Sequence, residues 1–204
     1  TLLPLNSQAA SIGFSMLFGI AFIMIVFLNG ELFTGNVFVT SFALFNKTAK
    51  AKDVTLLLAL NYLGNFVGTL FIGYIYIKSG SQHELVHAFL TKVSAAKLAY
   101  GMDQVFIKSI LCNLIVCIAA YVSIKAKDEV AKIILMLIIV MAFVLPGFDH
   151  SIANMGFFAM DIFSSQTLTN LPAIMANIGV ATVGNIIGGL VVYGLPMFYI
   201  LKEN

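Results

Sequence analysis

His150 is the residue of this chain best placed to do chemistry. It follows Asp149 in the run Gly147-Phe148-Asp149-His150-Ser151-Ile152-Ala153-Asn154, which interrupts an apolar stretch. An imidazole exchanges a proton near physiological pH, and an ionisable side chain at membrane depth marks a candidate functional site. A second polar interruption, Gly30-Glu31-Leu32-Phe33-Thr34-Gly35-Asn36, breaks an earlier apolar region. Aligned, Glu31 matches Asp149, small Gly35 matches Ala153, and Asn36 matches Asn154. Thr34 offers a hydroxyl beside the first break, and Glu31, Asp149, Asn36 and Asn154 are expected to order the two loops, the asparagines by tying the loop backbone. Freed N–H groups at such breaks form positive dipole ends, and a permeating anion would pair with a protonated His150 and could take its proton.

The elements that must position these residues are membrane helices. The chain has 204 residues, 60% hydrophobic and 10% charged; a soluble domain is nearer a quarter charged. Continuous apolar runs of this length read as helices, since a barrel shows short alternating segments, so the expected class is all-α and polytopic. Five apolar blocks are expected. The first covers 9–29, with a short continuation at 36–46 after the break. The others cover 54–77, 104–124, 133 to about 160 with the second break inside it, and 176–201. Polar loops are expected at 46–53, 78–103, 125–132 and 161–175, with His83 and His87 in the second of them.

All 11 basic residues are lysine. Lys47, Lys50, Lys52, Lys125, Lys127, Lys132 and Lys202 fall on one side, and Lys78, Lys92 and Lys97 on the other. The positive-inside rule puts the first group and the C-terminus in the cytoplasm. Residue 1 then lies outside. With no signal peptide in view, a further helix is expected ahead of Thr1.

An internal repeat gives the same expectation. Each break is followed by a span carrying Gly-Asn-x-x-Gly, namely Gly64-Asn65-Phe66-Val67-Gly68 and Gly184-Asn185-Ile186-Ile187-Gly188. The paired spans run in opposite directions, as in an inverted repeat whose broken helices hold a solute site near the midplane. The single domain 1–204 divides into half-repeats 1–78, incomplete, and 104–204. Span 104–124 has no partner, and its partner would be the missing first helix.

Other chemistries find little support. Cys112 and Cys117 lie five apart inside an apolar stretch and form no metal or redox motif, so they read as buried thiols. A net charge of +2 without a basic run argues against nucleic acid. Haem held by two histidines needs a second one at membrane depth, and no nucleophile–base or aspartate pair suggests proteolysis. No metal, cofactor or enzymatic activity is expected. A neutral-solute channel of the aquaporin kind fits the repeat, yet no Asn-Pro-Ala pair occurs. Lys108 stands inside span 104–124 without an explanation.

Glu31-Leu32-Phe33-Thr34, the stretch Gly147 to Met155, and Gly184-Asn185-Ile186-Ile187-Gly188-Gly189 together resemble the formate/nitrite transporter family, and the resemblance runs on to Lys202-Glu203-Asn204. It implies an aquaporin-like fold of six helices, of which this chain shows five, and a homopentamer in the bacterial inner membrane with one pore per protomer. The implied partner is a small monovalent anion such as formate, nitrite, hydrosulfide or lactate. It makes His150 the central pore histidine and Thr34 its hydroxyl partner. Leu32 and Phe33 correspond to loop residues that narrow the pore, Asn177 to a pore asparagine near the histidine, and Lys97 to a lysine that makes the entrance positive. Phe18 and Phe143 correspond to the outer constriction, Phe22 and Val116 to the inner one. Thr34-Gly35-Asn36 differs from the Thr-Ser-Thr of formate channels, and the chain is most similar to the hydrosulfide branch.

Overall fold

The computed structural model describes residues 7–202 apart from Gln82 and Thr169. Glu203 and Asn204, at the end of the resemblance, lie outside the described residues. Every element among the described residues is helical. In chain order these are α1 (Ser7–Phe27), α2 (Phe33–Phe45), α3 (Ala51–Lys78), α4 (His83–Leu98), α5 (Met102–Lys125), α6 (Glu129–Val144), α7 (Ser151–Ser165) and α8 (Leu171–Ile187). A π-helical segment, Gly188–Gly194, leads into α9 (Leu195–Lys202).

Four helical stretches are long and apolar enough to cross a bilayer alone: α1, α3, α5, and the run from α8 through α9. The 16 residues of α6 extend roughly 24 Å at 1.5 Å per residue, short of a ~30 Å hydrocarbon core. The crossing is completed by α7 beyond the break. Charges sit where helix dipoles favour them: α3 opens with Asp53 and closes with Lys78, and Asp128 caps α6 by accepting from the Ala131 N–H at 2.7 Å.

The structure corrects three boundaries. Helix α2 begins at Phe33 rather than Asn36, so Thr34 and Asn36 lie in its first turns and not in the connecting loop. The polar segment 78–103 is not a loop; it holds α4, because Leu90 and Ser94 on one helical face are buried at 2% and 3% exposure. His83 and His87 therefore sit on a helix. Asp161, expected in the loop 161–175, lies within α7.

The two breaks are built to one plan. Asn29 and Gly147, each two residues before the acid, take φ of 52° and 70°. Gly30 N–H bonds Ile25 O at 2.7 Å, and Phe148 N–H bonds Phe143 O at 3.1 Å. Leu32 caps α2 with φ −115° and ψ 118°, and His150 caps α7 with φ −104° and ψ 115°. Asn36 donates to the Glu31 carboxylate, as Asn154 does to Asp149. The freed backbone groups are tied by the asparagines of the glycine motifs. Asn65 accepts from Phe33 N–H at 3.0 Å and donates to Glu31 O at 3.0 Å. Asn185 accepts from Ser151 N–H at 2.8 Å and donates to Asp149 O at 3.0 Å. The half-helices then cross over: α2 packs on the π-helical segment of the second half, and α7 on α3 of the first.

The halves differ in what surrounds the glycine motif. In the second half α5 packs tightly on α8. A Cβ at Gly184 would meet Ser109 Cβ at 2.6 Å and Phe106 O at 2.7 Å, and one at Gly188 would strike the Ile110 carbonyl. At Gly64 and Gly68 the same atom meets nothing within 4 Å. Within the most apolar 18 residues, 6% of α3 is buried against 39% of the α8–α9 run.

Two outcomes follow for this chain in detergent. Gly184→Ala and Gly188→Ala should each lower stability by about 1–3 kcal/mol through overpacking, whereas Gly64→Ala and Gly68→Ala should leave thermal unfolding close to wild type. Asn185→Ala strands a buried N–H and carbonyls and should cost at least about 2 kcal/mol; an unchanged melting profile would show that water replaces the clamp.

Candidate functional site

The second break places His150 at the centre of the molecule, 5% exposed. Its Nδ1 accepts from Ala153 N–H at 3.3 Å, the capping role that opens α7. A backbone amide can only donate, so in the neutral ring the proton sits on Nε2. Nε2 faces Thr34 Oγ1 at 2.9 Å, and the ring therefore donates to that hydroxyl. Thr34 is fully buried and keeps its own hydrogen to give to a third group. The Phe143 ring lies stacked beside His150, with centroids 6.1 Å apart, and fixes its plane.

Two cavities are lined by His150, and a third adjoins the second of them. The first, about 220 Å³, is lined by Lys97, Tyr100, Phe18, Phe143 and His150. The second, about 360 Å³ and almost wholly apolar, shares Phe18, Phe143 and His150 with the first and adds Phe22, Leu32 and Val116. The third, about 440 Å³, shares Phe22 and Leu32 and opens on Glu31, Asn36 and Lys132 at the other break. Consecutive cavities thus share walls from the Lys97 end to the Lys132 end. Phe18 and Phe143 meet edge to face at 5.7 Å, while Phe22, Val116 and Phe143 belong to one buried cluster. On one side, Thr69 of α3 and Gly156 and Met160 of α7 line the second cavity, next to the open face of α3.

Lys97 reaches this site from α4. Its ammonium donates to Asp149 Oδ1 at 2.9 Å, the carboxylate being 1% exposed and the lysine side chain 14%. Asp149 Oδ1 also accepts from Asn154, whose amide in turn donates to Asn177 Oδ1 at 2.9 Å. Asn177 returns to the Lys97 carbonyl at 3.3 Å. This closed ring fastens α4, the break, α7 and α8 together. The sequence did not announce the Lys97–Asp149 pair; the available signal was that a buried acid needs a counter-charge.

The expected site residues separate into groups. His150, Thr34, Leu32, Phe18, Phe22, Phe143 and Val116 line the chain of cavities or face a residue that does. Asn177 stands behind the site as a support, fully buried. Phe33 departs from expectation: its ring packs on Tyr62 at 5.0 Å, in the core between α3 and α8, because its position at the start of α2 points away from Leu32. Asn36 and Asn154 bind carboxylates, and the backbone falls instead to Asn65 and Asn185. Phe14 and Phe157, absent from the sequence reading, line the first two cavities. Cys112 and Cys117 are buried, free thiols in the core. Lys108 lies over the Tyr100 ring, 3.1 Å from its centroid, a cation–π contact that accounts for a lysine in this span.

Comparison with known proteins bears on all of this. Residues 2–199 match the family model described as formate/nitrite transporter. The "Uncharacterized transporter YwcJ" of Bacillus subtilis is 33% identical over 92% of this chain and 73% of its own length. The "Nitrite transporter NirC" of Escherichia coli is 31% identical over 89% of this chain and 68% of its own. The "Formate-nitrite transporter" of Plasmodium falciparum is 28% identical over 92% of this chain, which spans 63% of that protein. A solved "FNT family ion channel" superposes with a TM-score of 0.86 at 29% identity, covering 97% of this chain and 80% of that one. A "Pentameric formate channel with formate bound" shares the fold with a TM-score of 0.82 at 23% identity, covering 98% and 86%. The chain belongs to the formate/nitrite transporter family, whose members are membrane channels and transporters rather than enzymes.

Proposed function

We propose that this chain forms a pore for a small monovalent anion, with hydrosulfide the foremost candidate and formate or nitrite the alternatives. The observation that carries the reading is the row of cavities sharing walls past His150, behind which stands the Thr34 hydroxyl. Lys97, partly offset by Asp149, sets the potential at one mouth. The anion sheds water between Phe18 and Phe143 and accepts a hydrogen bond from the Thr34 hydroxyl, which His150 Nε2–H orients. An unpaired charge in the apolar second cavity is costly, so the species that crosses it is the neutral acid. The proton comes from His150 once the ring has taken a second proton on Nδ1, breaking its bond to Ala153. Release of the Nε2 proton to the anion leaves a neutral ring protonated on Nδ1; loss of that proton to water and uptake of another on Nε2 restore the resting tautomer that accepts from Ala153. Hydrosulfide suits this route best, because its conjugate acid is the one most populated near neutral pH.

We further infer a homopentamer in a bacterial inner membrane with the C-terminus in the cytoplasm. This rests on the lysine asymmetry and on the pentameric relative of the same fold. A further helix on the open face of α3 seals the side of the second cavity. It stands to α3 and α1 as α5 stands to α8 and α6. Gly68→Cys in native membranes should react with a lipid-soluble maleimide far more slowly than Leu63→Cys on another exposed face of α3, and equal rates would refute that helix.

Flux into proteoliposomes tests the pore. Hydrosulfide uptake should rise as external pH falls, and His150→Phe should abolish the pH dependence and cut anion flux by at least tenfold. Thr34→Val should lower flux while Thr34→Ser retains it. Unchanged flux and pH profile in His150→Phe would remove the histidine from the mechanism. Competition among hydrosulfide, formate, nitrite and lactate ranks the substrates, and osmotic swelling without anion flux would favour a neutral-solute channel.

A further inference from the structure

Away from the residues described above, a small, partly polar cavity of about 100 Å³ lies where α4 packs on the last turns of α7 and on the segment entering α8. Thr91 and Ser94 of α4, Asp161 and Ser165 of α7, and Asn170 before α8 contribute its polar wall. Ser94 is 3% exposed, and its Oγ, in that wall, has no hydrogen-bond partner. Asp161 receives a hydrogen bond from Thr91 Oγ1 at 3.1 Å, and Ser165 Oγ is held near by the Asp161 carbonyl at 2.7 Å. Among the described residues the ion pairs are Lys97–Asp149 and Lys132–Glu129; Asp161 has no cationic partner.

We propose that this cavity is a sodium site. The available donors are all oxygens: one carboxylate, serine and threonine hydroxyls, and the Asn170 amide oxygen. Such a set suits a hard cation. One carboxylate balances one positive charge, whereas calcium sites gather several. The volume admits a bare ion with one or two waters. Water alone would satisfy Ser94, whereas a cation would also balance the half-exposed Asp161 carboxylate. A bound ion would join α4 to α7 and the start of α8, and α4 carries Lys97 one turn beyond Ser94. The site therefore sets how firmly Lys97 is held over the first cavity, and its occupancy does not depend on which anion the pore passes.

The test is thermal unfolding of the purified protein in detergent, in sodium, potassium, choline and calcium chlorides at equal ionic strength. Sodium should raise Tm by about 3 °C for each tenfold increase above its dissociation constant, with potassium and choline indistinguishable. Asp161→Asn should abolish the response and Ser94→Ala should weaken it. Ser94→Ala removes only an unpartnered hydroxyl, so it stays folded should Asp161→Asn fail. Lys92→Ala, on the exposed face of α4, should respond as wild type. Equal Tm in all monovalent salts would mean water fills the cavity, a larger effect of calcium would overturn the monovalent assignment, and an undiminished sodium response in both variants would place the ion elsewhere.

Discussion

A backbone that leaves the helix inside a bilayer must find partners for its own N–H and C=O groups, since lipid supplies none. Here two asparagines meet that demand. Asn185 takes the first amide of α7 and returns a hydrogen to the carbonyl of Asp149 two residues earlier, and Asn65 does the same with Phe33 and Glu31 at the head of α2. Everything at the site hangs from these clamps. They fix the last extended residue of each break, and at the second break that residue is His150. Its ring is then committed at Nδ1 to capping α7, which turns Nε2 toward Thr34. A change in either clamp would move the histidine through the backbone rather than through its own contacts.

Glycine does the matching work in packing. Gly184 and Gly188 let α5 approach α8 until backbone nearly meets backbone, and Asn185 uses that approach to reach the Ser109 carbonyl at 2.8 Å. The clamp and the close crossing are therefore one device. Asn113 of α5 adds a bond to the Asn185 carbonyl at 2.6 Å. In the first half Gly64 and Gly68 repeat the surface of this device on α3, facing open space.

Much of this was legible in the sequence, and the reasons are physical. Apolar runs and lysine-rich loops reveal spans because burying charge in lipid is prohibitive. The matched interruptions revealed both breaks because polar residues survive at depth only for structure or function. What stayed hidden depended on direction. Phe33 and Leu32 are neighbours of similar character, and only the start of α2 decides that one faces the core and the other the cavities. The segment holding α4 looked like a loop because its lysines and histidines masked a narrow face built around Leu90 and Ser94. The backbone-tying role expected of Asn36 falls to Asn65 for a similar reason: sequence shows that an amide is near a break, not which group it meets.

The two breaks share one plan, but the capping position carries leucine at the first and histidine at the second. A symmetric frame around an asymmetric chemical group makes the route directional in kinetics alone. On the route proposed above, a solute entering past Lys97 would meet the imidazole before the apolar stretch, and one entering past Lys132 would meet it afterwards. Microscopic reversibility forbids any difference at equilibrium. On the proposed route the order of events decides on which face the pore saturates first, and the capping position of the second break sets that order.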